Sequence, residues 1–274
     1  MQSLLKIEWL KIKNYTAFKV LGIFFLVGIV LVNYIVYLVN QKVVGKMNTG
    51  GLLSSFNPYS FDNTWQTTSY TTGFLLILPA LLLIILFTNE FTFRTSRQNI
   101  IDGWSRKQFI EVKIVMGLIA AVLSTLIVFL TALIFGFISG TDFSTNGFDH
   151  IGFFFLKAFS YNMIAILVSV LVRRTGFAIG LYFIYLGFEN IISQLLDVLS
   201  MKIKMDTGTD LGSMGDYLPM NASDGLLTFP DNPLKSIAKS ALPTDFFWIV
   251  ISLVIVYLAL FILFSRRRFI RADL

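Results

Sequence analysis

The sequence predicts an all-α integral membrane protein with six transmembrane helices, an interfacial helix before them and a short cytoplasmic helical segment between the second and third. Three observations carry this: an apolar, charge-poor composition, six runs of membrane-spanning length, and a lopsided distribution of Lys and Arg. Of the 274 residues 55% are hydrophobic and 14% charged, with a mean hydropathy of +0.74. A soluble domain has about 45–50% apolar and about 25% charged residues. Cysteine is absent, which removes disulfides and thiolate metal sites. The single His150 leaves little material for imidazole catalysis or a histidine metal cluster.

A helix crossing a bilayer needs about 20 mainly apolar residues. The runs at 18–39, 73–88, 114–138, 151–172, 176–196 and 246–264 meet or approach that length. The second is short and contains Pro79, which removes one helical hydrogen bond, so it is expected to borrow flanking residues and to kink. These spans make residues 18–264 a transmembrane domain, preceded by an N-terminal segment at 1–17 and followed by a tail at 265–274.

Six crossings put both termini on one side. The terminus side carries 15 Lys and Arg, the other side 6, with Lys157 near a helix start. The excess marks the cytoplasmic face, so both termini are expected there. The net charge of +6 is then mainly a topology signal with membrane lipid as its diffuse partner. No aromatic-interleaved basic groove points to nucleic acid.

The loop at 89–113, "NEFTFRTSRQNIIDGWSRKQFIEVK", is the largest cytoplasmic connection between spans. "RTSRQNIIDG" reads as a short helix stopped by Gly103. Ser105 then takes an N-cap position with Gln108 three residues on, as in a capping box. The positive-inside rule accounts for Arg94, Arg97 and Arg106, but not for the internal turn or for Ile100, Ile101, Trp104 and Phe109.

Glu90 at the end of the second span, then Arg94–Thr95, Ile100–Ile101, Gly103, Ser105–Arg106, Phe109 and Lys113 together resemble the cytoplasmic loop of ABC-2 type (type V) ABC transporter permeases. The resemblance implies that this loop is a coupling helix seated on a separate ATP-binding subunit, with Glu90, Arg94, Thr95, Arg97, Ile100, Ile101, Gly103, Arg106 and Phe109 at the interface. Arg94 stands where the family more often has glycine. The segment "SLLKIEWLKIKNYTAFKV" likewise resembles the family's interfacial connecting helix. The resemblance further implies a second permease copy, identical or related, residence in a bacterial cytoplasmic membrane, and two short re-entrant helices between the fifth and sixth spans.

Read by itself, the N-terminal segment places Leu5, Trp9, Ile12 and Thr16 on one helical stripe with Lys6 and Lys13 beside it, a pattern suited to the headgroup layer. Polar residues within spans are functional candidates by default. Glu189 and Asn190 form the acid–amide pair of the fifth span. Asn33, Tyr34 and Tyr37 lie near the outer end of the first, and Tyr161 and Asn162 within the fourth. Glu189, Asn190, Asn33, Tyr37 and Asn162 are therefore candidates for a translocation path, and the alternative for Glu189, which the residues favour, is a partner for Lys157 or a place in an aqueous vestibule. Gly176 and Gly180 form a small-xxx-small pair. The outer segment 197–245, with seven Asp and four of the six Pro, is expected to form an external cap, flexible around Gly208 to Gly215, whose acids are solvated and not metal-binding.

No phosphate-cradling G-x-x-x-x-G-K-[ST] motif occurs. The chain is thus expected to bind no cofactor itself, with ATP and Mg2+ held by the partner subunit. The reading that follows is the permease of an ATP-driven exporter for an amphipathic or lipid-like substrate. The alternatives are an ion-coupled secondary carrier, disfavoured by the lack of an inverted repeat, and an intramembrane enzyme, disfavoured by the lack of catalytic motifs.

Overall fold

The computed structural model describes residues 2–42, 56–231 and 246–271, which are almost wholly helical and contain no strand. Helix α1 (Gln2–Ile12) leads into α2 (Thr16–Lys42). Next come α3 (Phe61–Gly73), a 3-10 turn (Phe74–Leu76), α4 (Ile77–Thr92) and α5 (Thr95–Ile101). Then follow α6 (Arg106–Ile138), α7 (Asp149–Val172), α8 (Thr175–Thr207), a second 3-10 turn (Met214–Tyr217), α9 (Asn221–Gly225) and α10 (Phe247–Arg271). Among the described residues six helical units are long and apolar enough to cross a membrane: α2, the α3–α4 unit, α6, α7, α8 and α10. The protein is an all-α, multi-pass membrane protein. Its two ends are called here the basic end, where α1 and the end of α10 lie, and the far end.

Several element bounds differ from those read in the sequence. The second span is not 73–88 but one unit from Phe61 to Thr92. Its first half, "FDNTWQTTSYTTG", is too polar for hydropathy to find, yet Thr64, Thr67, Thr68, Thr71 and Thr72 are buried. Thr71 returns its hydroxyl to the Thr67 carbonyl at 2.8 Å and donates to Asn33 Oδ1 at 2.9 Å. The irregularity lies just before Pro79, in the 3-10 turn at Phe74–Leu76. Leu75, four residues before the proline, is the carbonyl that the missing N–H would have served. Helix α6 begins at Arg106, not 114, and α4 ends at Thr92, so most of the supposed loop 89–113 is helical. The fifth span runs past 196 to Thr207, taking the start of the outer segment with it. The tail at 265–274 is likewise helical as far as Arg271.

Helix α7 is the axis of the bundle: 67% of its apolar window is buried, against 17% in each of α2, α8 and α10. Close approach needs small residues there. A Cβ on Gly117 of α6 would lie 2.5 Å from Met163 of α7, and the Asn162 amide donates to the Gly117 carbonyl at 2.9 Å. Gly117→Leu is accordingly expected to separate α6 from α7 and cost about 1–3 kcal/mol by overpacking, readable as a lower unfolding midpoint in detergent.

The capping box read from the sequence is present at the start of α6: Ser105 Oγ accepts from the Gln108 N–H at 3.1 Å, and Gln108 Oε1 accepts from the Ser105 N–H at 3.0 Å. It fixes where the chain turns from α5 back into a membrane-crossing helix.

Candidate functional site at the basic end

Helix α5 is a seven-residue element set between two unusual turns. It is entered through Arg94, in the left-handed region at φ +57°, and left through Gly103 at φ +101°. Glycine is free to adopt the second; Arg94 takes the first at a steric cost. The two turns project α5 beyond the ends of α4 and α6. Ile101 is 77% exposed and Phe93, beside the entry turn, 72% exposed. Arg94, Thr95, Arg97 and Gln98 are exposed and Ile100 half-buried.

Beneath α5 lies a buried charge node that the sequence reading did not find. Lys113 of α6 donates to Glu8 of α1, and at 2.7 Å to Glu90 of α4. Lys11 of α1, half-exposed, closes the ring at 2.9 Å from Glu8 and 3.2 Å from Glu90. Glu8, Glu90 and Lys113 are all buried, so each charge depends on the others in place of water. Thr95 Oγ1 lies 3.4 Å from the Glu90 carbonyl, tying the start of α5 to the same node. Three elements far apart in sequence thus hold the root of α5 rigid.

Burial opposes ionisation of Glu8, but the neighbouring Lys113 and then Lys11 outweigh it and hold the carboxyl below its ordinary value of 4.5. Burial likewise works against the charge on Lys11, and Glu90 and Glu8 overcome it, raising the amine above 10.5. A lowered carboxyl contributes stability that is complete above its unfolded value and lost as pH falls through the folded one. A raised amine contributes stability complete below its unfolded value and lost as pH rises through the folded one. Below about pH 4.5 the unfolding midpoint should therefore drop, and Glu8→Gln should flatten that acid limb while lowering the plateau.

Three residues expected at a partner interface serve contacts within the chain. Glu90 faces inward as a member of the node. Phe109 is 0% exposed: its ring stacks on Phe269 of α10 at 5.0 Å and 6° and meets Phe87 of α4 at 6.0 Å. Since α6 starts at Arg106, helical phase turns Phe109 into the bundle, so it has no free surface to offer a partner. Arg106 donates to the Ile270 carbonyl at 3.1 Å, fastening α10 to α6. Of the nine interface candidates, the surface of α5 keeps Arg94, Thr95, Arg97, Ile100 and Ile101, with Gly103 as its hinge.

The five translocation candidates are not brought together. Asn33 is buried, bonded to Thr71, to Thr72 at 3.2 Å and to the Tyr59 hydroxyl at 3.0 Å, and so fastens α2 to α3. Asn162 serves the Gly117 contact. The Tyr37 hydroxyl accepts from Gln41, and its ring packs on Tyr59 and Phe135. Glu189 turns inward at the far end, where one carboxylate oxygen accepts the backbone N–H groups of Met220 and, at 2.9 Å, Asn221. It does not pair with Lys157, which meets Asp224 at 3.2 Å. Asn190 alone among the five is exposed, and its amide oxygen accepts from Gln194 at 2.7 Å.

The outer segment is organised as far as Asp231, and residues 232–245 lie outside the described residues. The described part holds one five-residue helix, α9, and a 3-10 turn, and the rest of the stretch expected to carry two re-entrant helices lies outside the described residues. Nor is the stretch around Gly208 to Gly215 detached. Gly215 N–H donates to Asp197 at 2.8 Å, and a Cβ there would collide with Ser193, so the turn is pressed onto α8.

A scan against protein-family models matches residues 4–189 to the ABC-2 family transporter proteins, more than half of the chain. The chain belongs to the ABC-2 family of transporter membrane proteins. The match begins in α1 and ends at Glu189, so it spans the charge node, α5, the first four membrane units and the first part of the fifth. A search of curated proteins finds no match to the chain. As an ABC-2 permease it is the membrane component of a transporter, and α5 lies at the position of the loop between the second and third spans.

Proposed function

We propose that this ABC-2 permease is the membrane half of an ATP-driven exporter, seated in a bacterial cytoplasmic membrane with the basic end and both termini in the cytoplasm. A separate ATPase subunit binds ATP and Mg2+ and hydrolyses the nucleotide, and this chain binds no cofactor. The ATPase docks on α5, and its movement reaches the spans through the charge node. The exported substrate is amphipathic or lipid-like. The observation that carries the reading is the geometry of α5: a short projecting helix with its root buried in charges and Ile101 held out in water.

Burying one large apolar side chain is worth about 1.5–3 kcal/mol, whereas an exposed ion pair gives about 0–1 kcal/mol. Ile100 and Ile101 should therefore hold the ATPase, and Arg97 should set orientation and salt sensitivity. Replacing both isoleucines with Asp is expected to abolish co-purification of the ATPase while membrane insertion is unchanged. Arg97→Ala should weaken capture mildly, and mainly at low salt. Full capture and transport by the double Asp variant would remove the docking assignment.

A second copy of this chain, or a related permease, completes the path. The side of α8 turned away from the bundle carries Gly176, Gly180, Phe183, Gly187, Asn190 and Gln194, spaced 4, 3, 4, 3 and 4 residues apart. That is the repeat of a helix–helix seam. The three glycines have no atom within 4 Å of where a Cβ would stand. Gly176 and Gly180 line an open apolar notch of about 470 Å3. Amides facing hydrocarbon are costly, and a partner helix relieves that cost while small residues let it approach. In this cysteine-free chain, Gly187→Cys should form a disulfide-linked dimer in membranes on mild oxidation. A cysteine at Val122, exposed on α6, should not. Equal cross-linking at both would place the seam elsewhere.

A further inference from the structure

Between the basic ends of α4, α7 and α8 lies a cleft of about 150 Å3 lined by Phe91, Arg94, Ser96, Arg97 and Arg173. Three arginines line it from three segments: the turn after α4, helix α5, and the turn between α7 and α8. The described residues that line it include no carboxylate. The spans that meet there are locked together next to it, since the Thr88 and Thr175 hydroxyls bond at 2.8 Å between α4 and α8.

The backbone singles out the same place. Arg94 and Arg173 are the two non-glycine residues with positive φ among the described residues, at +57° and +56°. Each follows the end of a helix, where a left-handed residue is commonly glycine because a Cβ is strained there. The chain instead carries arginine at both positions, and both residues line one cleft. Strain that is kept at two converging residues belongs to a site more readily than to a connection. Phe91 lies 5.4 Å from the Arg173 guanidinium carbon and fixes it by a cation–π contact.

The depth and size of the cleft point to its occupant. It sits where α4 ends at Thr92, α7 at Val172 and α8 begins at Thr175, the level at which apolar spans give way to headgroups. Its volume is about five times that of a liquid water molecule, room for a phosphate group but not for a folded partner segment. A guanidinium fork matches phosphate oxygens in bidentate fashion, and basic pockets between spans on the cytoplasmic side suit anionic headgroups. We propose that Arg94, Arg97 and Arg173 form a binding site for a phosphate group, presented by an anionic phospholipid or as the free ion. The orientation proposed above enters only in the choice of leaflet.

The test uses the full chain in detergent without any ATPase, so that its failure leaves the docking of α5 untouched. The unfolding midpoint is followed in mixed micelles of phosphatidylglycerol or phosphatidylcholine, and separately in inorganic phosphate against chloride at equal ionic strength. Phosphatidylglycerol is expected to raise the midpoint and phosphatidylcholine to leave it. Arg97→Gln and Arg173→Gln should each weaken that response about fivefold, the contribution of one basic residue at a membrane surface. Arg268→Gln, the same charge change on the exposed end of α10, should leave it intact. Arg94→Gly should act in two directions, raising the midpoint without lipid by relieving the left-handed backbone while reducing the shift that lipid produces. A shift with phosphatidylglycerol alone identifies a headgroup, and a shift with inorganic phosphate as well identifies the free ion. No shift in either arm overturns the site. So does an equal loss in Arg268→Gln, which would mean diffuse attraction, or an undiminished lipid response in both Arg97→Gln and Arg173→Gln.

Discussion

Lys113→Met is expected to destabilise the chain by about 3–5 kcal/mol, the usual consequence of leaving buried charge without its partner. The substitution keeps much of the side-chain volume, so the loss is electrostatic. Glu8 and Glu90 would then share only Lys11, which is half in water. The first element to come away should be α1, because Glu8 is its buried polar contact with α6. A cysteine introduced at Glu8 would destroy the node, so the reporter belongs at Ile12, which is buried beside it. Ile12→Cys should be protected from a thiol reagent in the otherwise wild-type chain and react rapidly when Lys113 is Met. A triple replacement, Glu8→Leu with Glu90→Leu and Lys113→Met, should recover much of the lost stability, since apolar groups of similar volume often match a buried ion cluster. It should nevertheless impair transport if the node carries movement from α5 to the spans. Unchanged reactivity at Ile12→Cys in the Lys113→Met chain would mean that α1 is held by its apolar contacts alone.

Glu189→Ala is expected to release the outer segment from α8 at a cost of about 3–5 kcal/mol, the sum of two or three buried donors left unpaired at about 1–3 kcal/mol each and reduced by partial relaxation. The donors are the backbone N–H groups of Met220 and Asn221 and, more weakly at 3.4 Å, the Asn221 amide. Ser223 reports the release: it is fully buried, with its hydroxyl on the Met220 carbonyl at 2.8 Å. Ser223→Cys should be silent to a membrane-impermeant reagent and become reactive when Glu189 is Ala. Asp224→Asn should act in the same direction but less, because Lys157 and Tyr161 retain an amide oxygen as partner. If Glu189→Ala altered transport with Ser223→Cys still protected, Glu189 would be acting on the substrate and not on the outer segment.

The spans were legible because a membrane imposes a rule on each stretch separately. A crossing helix must satisfy its own backbone and be apolar for about 20 residues, and both are properties of contiguous sequence. The Ser105–Gln108 capping box was legible for the same reason, its partners lying three residues apart. The polar run "FDNTWQTTSYTTG" was not, because its hydroxyls find partners only in the packed chain: Thr64 donates to the Ala132 carbonyl of α6, Thr67 to the Pro58 carbonyl and Thr71 to Asn33 of α2. Phe109 was misplaced by proximity: it stands near Ile100 and Ile101 in the sequence, but the helix that begins at Arg106 rotates it toward Phe269, 160 positions away. The 4–3 repeat on α8 could have been traced in the sequence by extending the Gly176–Gly180 pair, yet only the structure shows that no atom packs on its three glycines within the chain.

The sequence by itself therefore determined the class of the molecule, the number of its crossings and the place of the short helix between the second and third of them. Tertiary structure alone decided which polar residues are structural. Glu8 and Lys113 are 105 positions apart and Glu189 and Asn221 are 32 apart, and neither pair leaves a periodic trace. The physical reason is the range of the forces. Helix formation and membrane insertion are local, whereas the cost of burying a charge is met by whichever opposite charge or donor the packed chain brings within about 3 Å.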